Sequence, residues 1–176
     1  MNMNISSIAN NDKVEKTVNK NGMFHVFFGL LVITAYCAQA VSEWQWEYLY
    51  LLQENFIYKQ VSGFVLVAAV LWQWRLYVYR HKIISDSRRK ILNSHEIFGP
   101  LSLILFYLHS AEFGFALQLV LSISYISTIL SGLVKPNSWG IRNRFYINVW
   151  LVVHVLSATL MTNLAIYHIY ISYWYG

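Results

Sequence analysis

Runs of about twenty apolar residues, the length a bilayer crossing requires, recur along this chain. Five can be drawn, at roughly 23–42, 56–79, 93–112, 115–134 and 146–172. In lipid every backbone N–H and C=O has to be paired inside the chain, so runs of this length predict helices. The expected fold is therefore an all-α membrane protein, a bundle of five transmembrane helices over residues 23–176. Residues 1–22 are polar and rich in Asn, and are expected to form a disordered cytoplasmic tail.

Composition agrees. Only 12% of the residues are charged, against about 25% in soluble domains. The net charge of +5 could suggest nucleic acid as a partner. However, the basic residues flank the apolar runs, so charge asymmetry across a membrane explains them and no nucleic acid is expected. Cys37 is the single cysteine, which excludes an internal disulfide, Cys-ligated zinc and covalent haem attachment through C-x-x-C-H. Gly-rich phosphate loops, sequence repeats and low-complexity blocks are missing from the sequence, and its 176 residues encode no soluble catalytic domain. Any enzyme activity is then expected to be shared with a partner.

Charge also predicts orientation. Lys13, Lys16 and Lys20 precede the first run, and Arg75, Arg80, Lys82, Arg88, Arg89 and Lys90 surround the second loop. Lys135, Arg142 and Arg144 surround the fourth loop, leaving only Lys59 on the other side. Twelve of the thirteen basic side chains thus share one side, which the positive-inside rule makes cytoplasmic. The opposite side carries Glu43, Glu47, Glu54 and Glu112 with an aromatic belt that includes Trp44, Trp46, Tyr173 and Trp174. The N-terminus is expected inside and the C-terminus outside. Ala38-Gln39-Ala40 imitates a signal-peptidase site, but the apolar run before it is long for a signal peptide, so a retained helix is the expectation.

The chemistry lies in four histidines. His95 and His109 are fourteen residues apart in one run, and so are His154 and His168 in another. Fourteen residues at 100° leave two side chains about 40° apart around a helix and roughly 21 Å apart along it. Each helix then carries one imidazole near each membrane surface, both on one face. Ionisable side chains at membrane depth are costly and are read as functional by default. With five spans, the two histidine helices run in the same direction, so His95 pairs with His154 in the inner leaflet and His109 with His168 in the outer. Two stacked imidazole pairs are what two b-type haems require as axial ligands. Filled axial positions suit electron transfer, because none is left for oxygen or substrate. Arg88, Arg89, Lys90, Arg142 and Arg144 surround the inner level, where haem propionates need cations. Bare metal sites fit less well, since they gather three or four ligands. A reading from another class keeps the histidines for proton transfer or transient metal passage in a transporter or non-redox subunit. His25 is expected to be packed or interfacial, and His81 solvated.

These features resemble a known family. Arg88-Arg89-Lys90-Ile91-Leu92-Asn93-Ser94-His95, running on to Phe106-Tyr107-Leu108-His109-Ser110, is similar to the third helix of the ferric-reductase-like transmembrane domain. Arg144-Phe145 ahead of Trp150 and His154, with His168 fourteen residues on, extends the likeness over most of residues 60–172. The family includes ferric reductases, the membrane part of NADPH oxidases and the haem subunit of a bacterial methionine sulfoxide reductase system. The resemblance implies haem ligation by His95, His109, His154 and His168 and electron flow toward the outer face. Family members usually have a sixth helix, and the oxidases and reductases add a flavin and nicotinamide domain; these 176 residues hold neither. The four-helix core of respiratory cytochrome b shares the ligand spacing. Its paired glycines fourteen residues apart are not evident here, where Gly63 and Gly132 have no such partners.

The expectation is a membrane cytochrome b subunit of an oxidoreductase, multi-pass in a bacterial cytoplasmic membrane and in contact with lipid. Its cofactors would be two haem b, with a quinone or a partner's flavin as the further redox group. Electrons would come from a cytoplasmic flavoprotein or a quinol and pass to a redox partner on the outer face, or to a metal ion there.

Overall fold

The computed structural model describes residues 5–42, 44, 46–79, 85–141 and 143–174; the side chains of residues 5–22, 85–89, 137 and 138 lie outside that description. The described residues are helical with no strand. Helix α1 spans Ile5–Ser42, α2 Glu47–Glu54, α3 Phe56–Tyr79, α4 Ser85–His109, α5 Leu117–Leu133 and α6 Arg144–Trp174, with a 3-10 turn at Pro136–Trp139 before α6. Helix α1 is drawn back to Ile5, into the polar segment 1–22 expected to be disordered; residues 1–4 lie outside the described ones.

Among the described residues, four stretches are long and apolar enough to cross a membrane: Met23–Ser42, Phe56–Tyr79, Lys90–His109 and Arg144–Trp174. The molecule therefore has the character of a multi-pass, all-helical membrane protein. Helix α5 is apolar but only 17 residues long, about 26 Å at 1.5 Å per residue, shorter than these four. Its ends explain this. Lys135 stands before Pro136 with an extended backbone, φ −59° and ψ 139°, as steric conflict with a following proline ring demands. At the other end Gly114 takes φ +73°, a left-handed conformation open to glycine at little cost.

Local capping sets the helix starts. The Asn55 carboxamide oxygen accepts from the Ile57 and Tyr58 amides at the head of α3. Asn143 accepts likewise from Phe145 at the head of α6. Each satisfies donors that the first helical turn leaves free. Helix α2 is absent from the sequence expectation. Its buried residues Leu49 and Gln53 are four apart, on one helix face, and Gln53 seats the helix over the end of α4. There Gln53 donates to the Tyr107 and Leu108 carbonyls and accepts from the Ala111 amide, while Tyr58 also donates to Leu108. The orphan carbonyls beside His109 are thereby paired, and the end of α4 is held.

The core gathers Ile33 and Tyr36 of α1, Leu103 and Phe106 of α4, Tyr125 and Leu133 of α5, and Met161 of α6. Tyr125 stacks on Phe106 at 4.6 Å and donates to Ser102 Oγ. Gly29 lets α1 approach α5, since a Cβ there would stand 2.7 Å from a methyl of Leu133. Helix α4 packs chiefly on α3 and α1, and α6 on α5. The outward faces are apolar, with Phe64, Val65 and Trp72 on α3 and Leu151, Val152 and Leu156 on α6 exposed. Such faces suit contact with lipid rather than water.

Candidate functional site

All four histidines of the two fourteen-residue pairs are half-buried and lie on α4 and α6. The structure brings His95 and His154 together, with ring centres 6.2 Å apart and planes at 86°. At the other level His109 and His168 line one cavity of about 670 Å³, bounded also by Gly63, Glu112, Met161 and Tyr173. Helices α4 and α6 thus run parallel with a histidine from each at both levels.

Two serine–glycine steps serve this arrangement. On α3, Ser62 Oγ lies 3.0 Å from His109 Nδ1, and a Cβ on Gly63 would stand 3.1 Å from the Cε1 atom of the same ring. On α5, Ser131 Oγ lies 2.9 Å from His154 Nδ1, and a Cβ on Gly132 would stand 3.4 Å from that Cε1. So one histidine of each level is bonded by a serine and admitted by the glycine that follows it. Trp150 adds to the second site, lying parallel to the His154 ring at 5.7 Å and donating from its indole to the Ser131 carbonyl. Trp74 of α3 donates to Thr162 of α6, tying those helices together between the levels.

The His95 level has unmet polar groups. His95 has the Gln73 main chain as its polar neighbour on α3, yet its Nδ1 atom is buried without a hydrogen-bond partner. The Gln73 carboxamide nitrogen and oxygen and Arg75 Nε are also buried and unpartnered among the described residues. Buried polar atoms are nearly always paired, and this level gathers several with no partner among the described residues. The Arg75 guanidinium lies 3.8 Å over the Trp72 ring. Glu96 forms an ion pair with Lys135, just past the end of α5.

Of the arginines expected around this level, Arg144 is exposed as the first residue of α6. Arg88 and Arg89 lie in the first turns of α4 and their side chains are outside the described residues, as is all of Arg142. His25 meets Phe24 edge to face at 6.0 Å, and His81 lies outside the described residues. At the opposite end Lys59, Glu54 and Glu112 line the cavity. Tyr50 is beside Glu54, whose hydrogen bond and negative charge push the phenol above its usual range.

A metal held by two imidazoles at about 2.0–2.1 Å, with about 1.2 Å from nitrogen to ring centre, separates the ring centres by about 6.4 Å. The His95–His154 distance of 6.2 Å is close to this and also within the range of about 4.5–7 Å of edge-to-face ring pairs. Among the described residues, no three His, Cys, Asp or Glu side chains converge on one point. What the sequence does not announce is the set Ser62, Gly63, Ser131, Gly132, Gln53 and Gln73. Comparison of the chain with protein-family models, curated proteins and solved structures finds no match.

Proposed function

We propose that the chain is a membrane b-type cytochrome subunit, carrying electrons across the bilayer with two haems b, in the manner of the ferric-reductase-like domain it resembles. His95 and His154 would hold one haem and His109 and His168 the other. The observation that carries this reading is that α4 and α6 bring His95 and His154 together, ring centres 6.2 Å apart, and His109 and His168 to one cavity. The cavity of about 670 Å³ containing His109 and His168, the glycines facing two of the rings, and the unpartnered His95 and Gln73 atoms also fit a group bound between α4 and α6.

When bound, haem supplies one-electron chemistry. The protein's own part is to present the imidazoles, keep water from the rings and set the polarity around them. Arg88, Arg89 and Arg144 would offer cations to carboxylates at the His95 level. In this reading α5 is a fifth span, completed by the turn residues at its ends. By the distribution of Lys and Arg, the N-terminus and the His95 level would lie on the cytoplasmic side, and the C-terminus outside. A bacterial cytoplasmic membrane is the proposed location. A cytoplasmic flavoprotein or a quinol would donate, and a redox protein or metal ion would accept outside. Glu54 and Glu112 at the cavity favour a cationic acceptor.

A reduced-minus-oxidised visible spectrum of membranes enriched in the protein tests the proposal. Haem b absorption bands that rise with the amount of this chain are expected. Bands that do not follow its expression would overturn it.

A further inference from the structure

Ser62 and Ser131 do more than fill space between helices. A serine hydroxyl has one hydrogen to donate. Ser62 Oγ lies 2.8 Å from the Tyr58 carbonyl and Ser131 Oγ 2.8 Å from the Thr128 carbonyl, the back-bonding to the preceding turn that helical serines adopt. Carbonyls only accept, so a hydroxyl back-bonded in this way gives its hydrogen to the carbonyl (for Ser62 the Lys59 carbonyl is a second acceptor, at 3.2 Å). What remains toward the imidazole is an oxygen lone pair. His109 Nδ1, at 3.0 Å, and His154 Nδ1, at 2.9 Å, must then bring the hydrogen themselves. The Thr128 carbonyl is also a hydrogen-bond neighbour of the His154 ring, and as an acceptor it agrees with a shared Nδ1–H.

We infer that Ser62 and Ser131 are positioning residues that fix the Nδ1–H tautomer of His109 and His154, leaving the Nε2 lone pair of each free as a ligand. Gly63 and Gly132 complete the device, since the next residue on the helix has to leave room for the ring so held. The same Ser–Gly step occurs once in each antiparallel helix pair, α3 with α4 and α5 with α6. It serves His109 at one level and His154 at the other, so each level receives one tautomer-fixed imidazole. The partner at the His95 level differs: no serine hydroxyl meets its Nδ1 among the described residues, and the Gln73 main chain is its polar neighbour. The inference rests on the proposed haem ligation for its purpose, although the tautomer itself does not depend on haem.

The test combines two readouts on wild type, Ser62→Ala, Ser131→Ala and the conservative Ser62→Thr and Ser131→Thr. Nitrogen-15 NMR of histidine-labelled protein, without haem, reads the tautomer of each ring. Nδ1–H signals for His109 and His154 are expected, lost for His109 only in Ser62→Ala and for His154 only in Ser131→Ala, and kept in the threonine variants. Haemin titration then reads retention, which should weaken about 10–100-fold at one level per alanine variant and recover with threonine. If that loss falls tenfold harder on the ferric state, the matching midpoint rises by about 59 mV. Nε2–H signals for both rings in wild type, or alanine variants with unchanged tautomers, would overturn the inference. Wild-type protein that takes up no haem but shows the expected tautomers would instead contradict the proposed function and leave the tautomer assignment standing.

Discussion

The imidazole rings of His95 and His154, fifty-nine residues apart in sequence, meet across α4 and α6 with their centres 6.2 Å apart and their planes at 86°. Direct helix packing does not account for the meeting, since α4 rests on α3 and α1 while α6 rests on α5. Because both helices repeat a histidine after fourteen residues, fixing one pair at one level brings His109 and His168 to a common cavity at the other.

Pairing makes the first prediction. His95→Ala and His154→Ala should each remove the same haem, and His109→Ala and His168→Ala the other. Redox titration of the four variants should give two matching pairs of curves. Similar curves for His95→Ala and His168→Ala would contradict the parallel arrangement.

Space makes the second. Gly63→Ala would put a methyl 3.1 Å from His109 Cε1, against 3.4 Å from His154 Cε1 for Gly132→Ala. Overpacking of this kind costs about 1–3 kcal/mol. Haem retention at the His109 level should therefore fall in Gly63→Ala by more than retention at the His95 level falls in Gly132→Ala, as measured by haem transfer to a competing apoprotein.

Much of this was legible in the sequence and some was not. The apolar run 56–79 coincides with helix α3, Phe56–Tyr79, because length and hydropathy suffice to mark a membrane helix. The histidine spacing was visible because fourteen residues bring the helix nearly back to the same face. By contrast, α2 is too short for an apolar run and is held by burial of Leu49 and by the bonds of Gln53 to the end of α4. Gly63 and Gly132 look isolated because their partners are histidines on neighbouring helices, not glycines on their own. A Ser–Gly dipeptide is common, and nothing in its spacing announces which ring it faces.

The third prediction concerns the seat of α2. Gln53→Leu removes the donors to the Tyr107 and Leu108 carbonyls and the acceptor of the Ala111 amide. Leaving buried groups unpaired costs about 1–3 kcal/mol. Thermal unfolding should shift down by about 2–4 °C per kcal/mol, and the His109-level haem should be lost before the His95-level haem.

The fourth concerns the donor. Neutralising Arg88, Arg89 and Lys90 at the start of α4 should slow reduction of the His95-level haem by cytosolic extract with nicotinamide cofactor. Reduction by a membrane quinol should be unaffected. The wild-type rate with extract should also fall as salt rises, because exposed charges are screened over about 10 Å at 0.1 M. Equal rates for wild type and variant with extract would make quinol the better donor.

Haem stoichiometry tests the central claim most directly. Protein purified from haem-sufficient cells, assayed as the pyridine haemochrome, should contain about two haems b per chain, all extractable by acidified organic solvent because no thioether holds them. A value below about half a haem per chain would contradict bis-histidine ligation by His95–His154 and His109–His168.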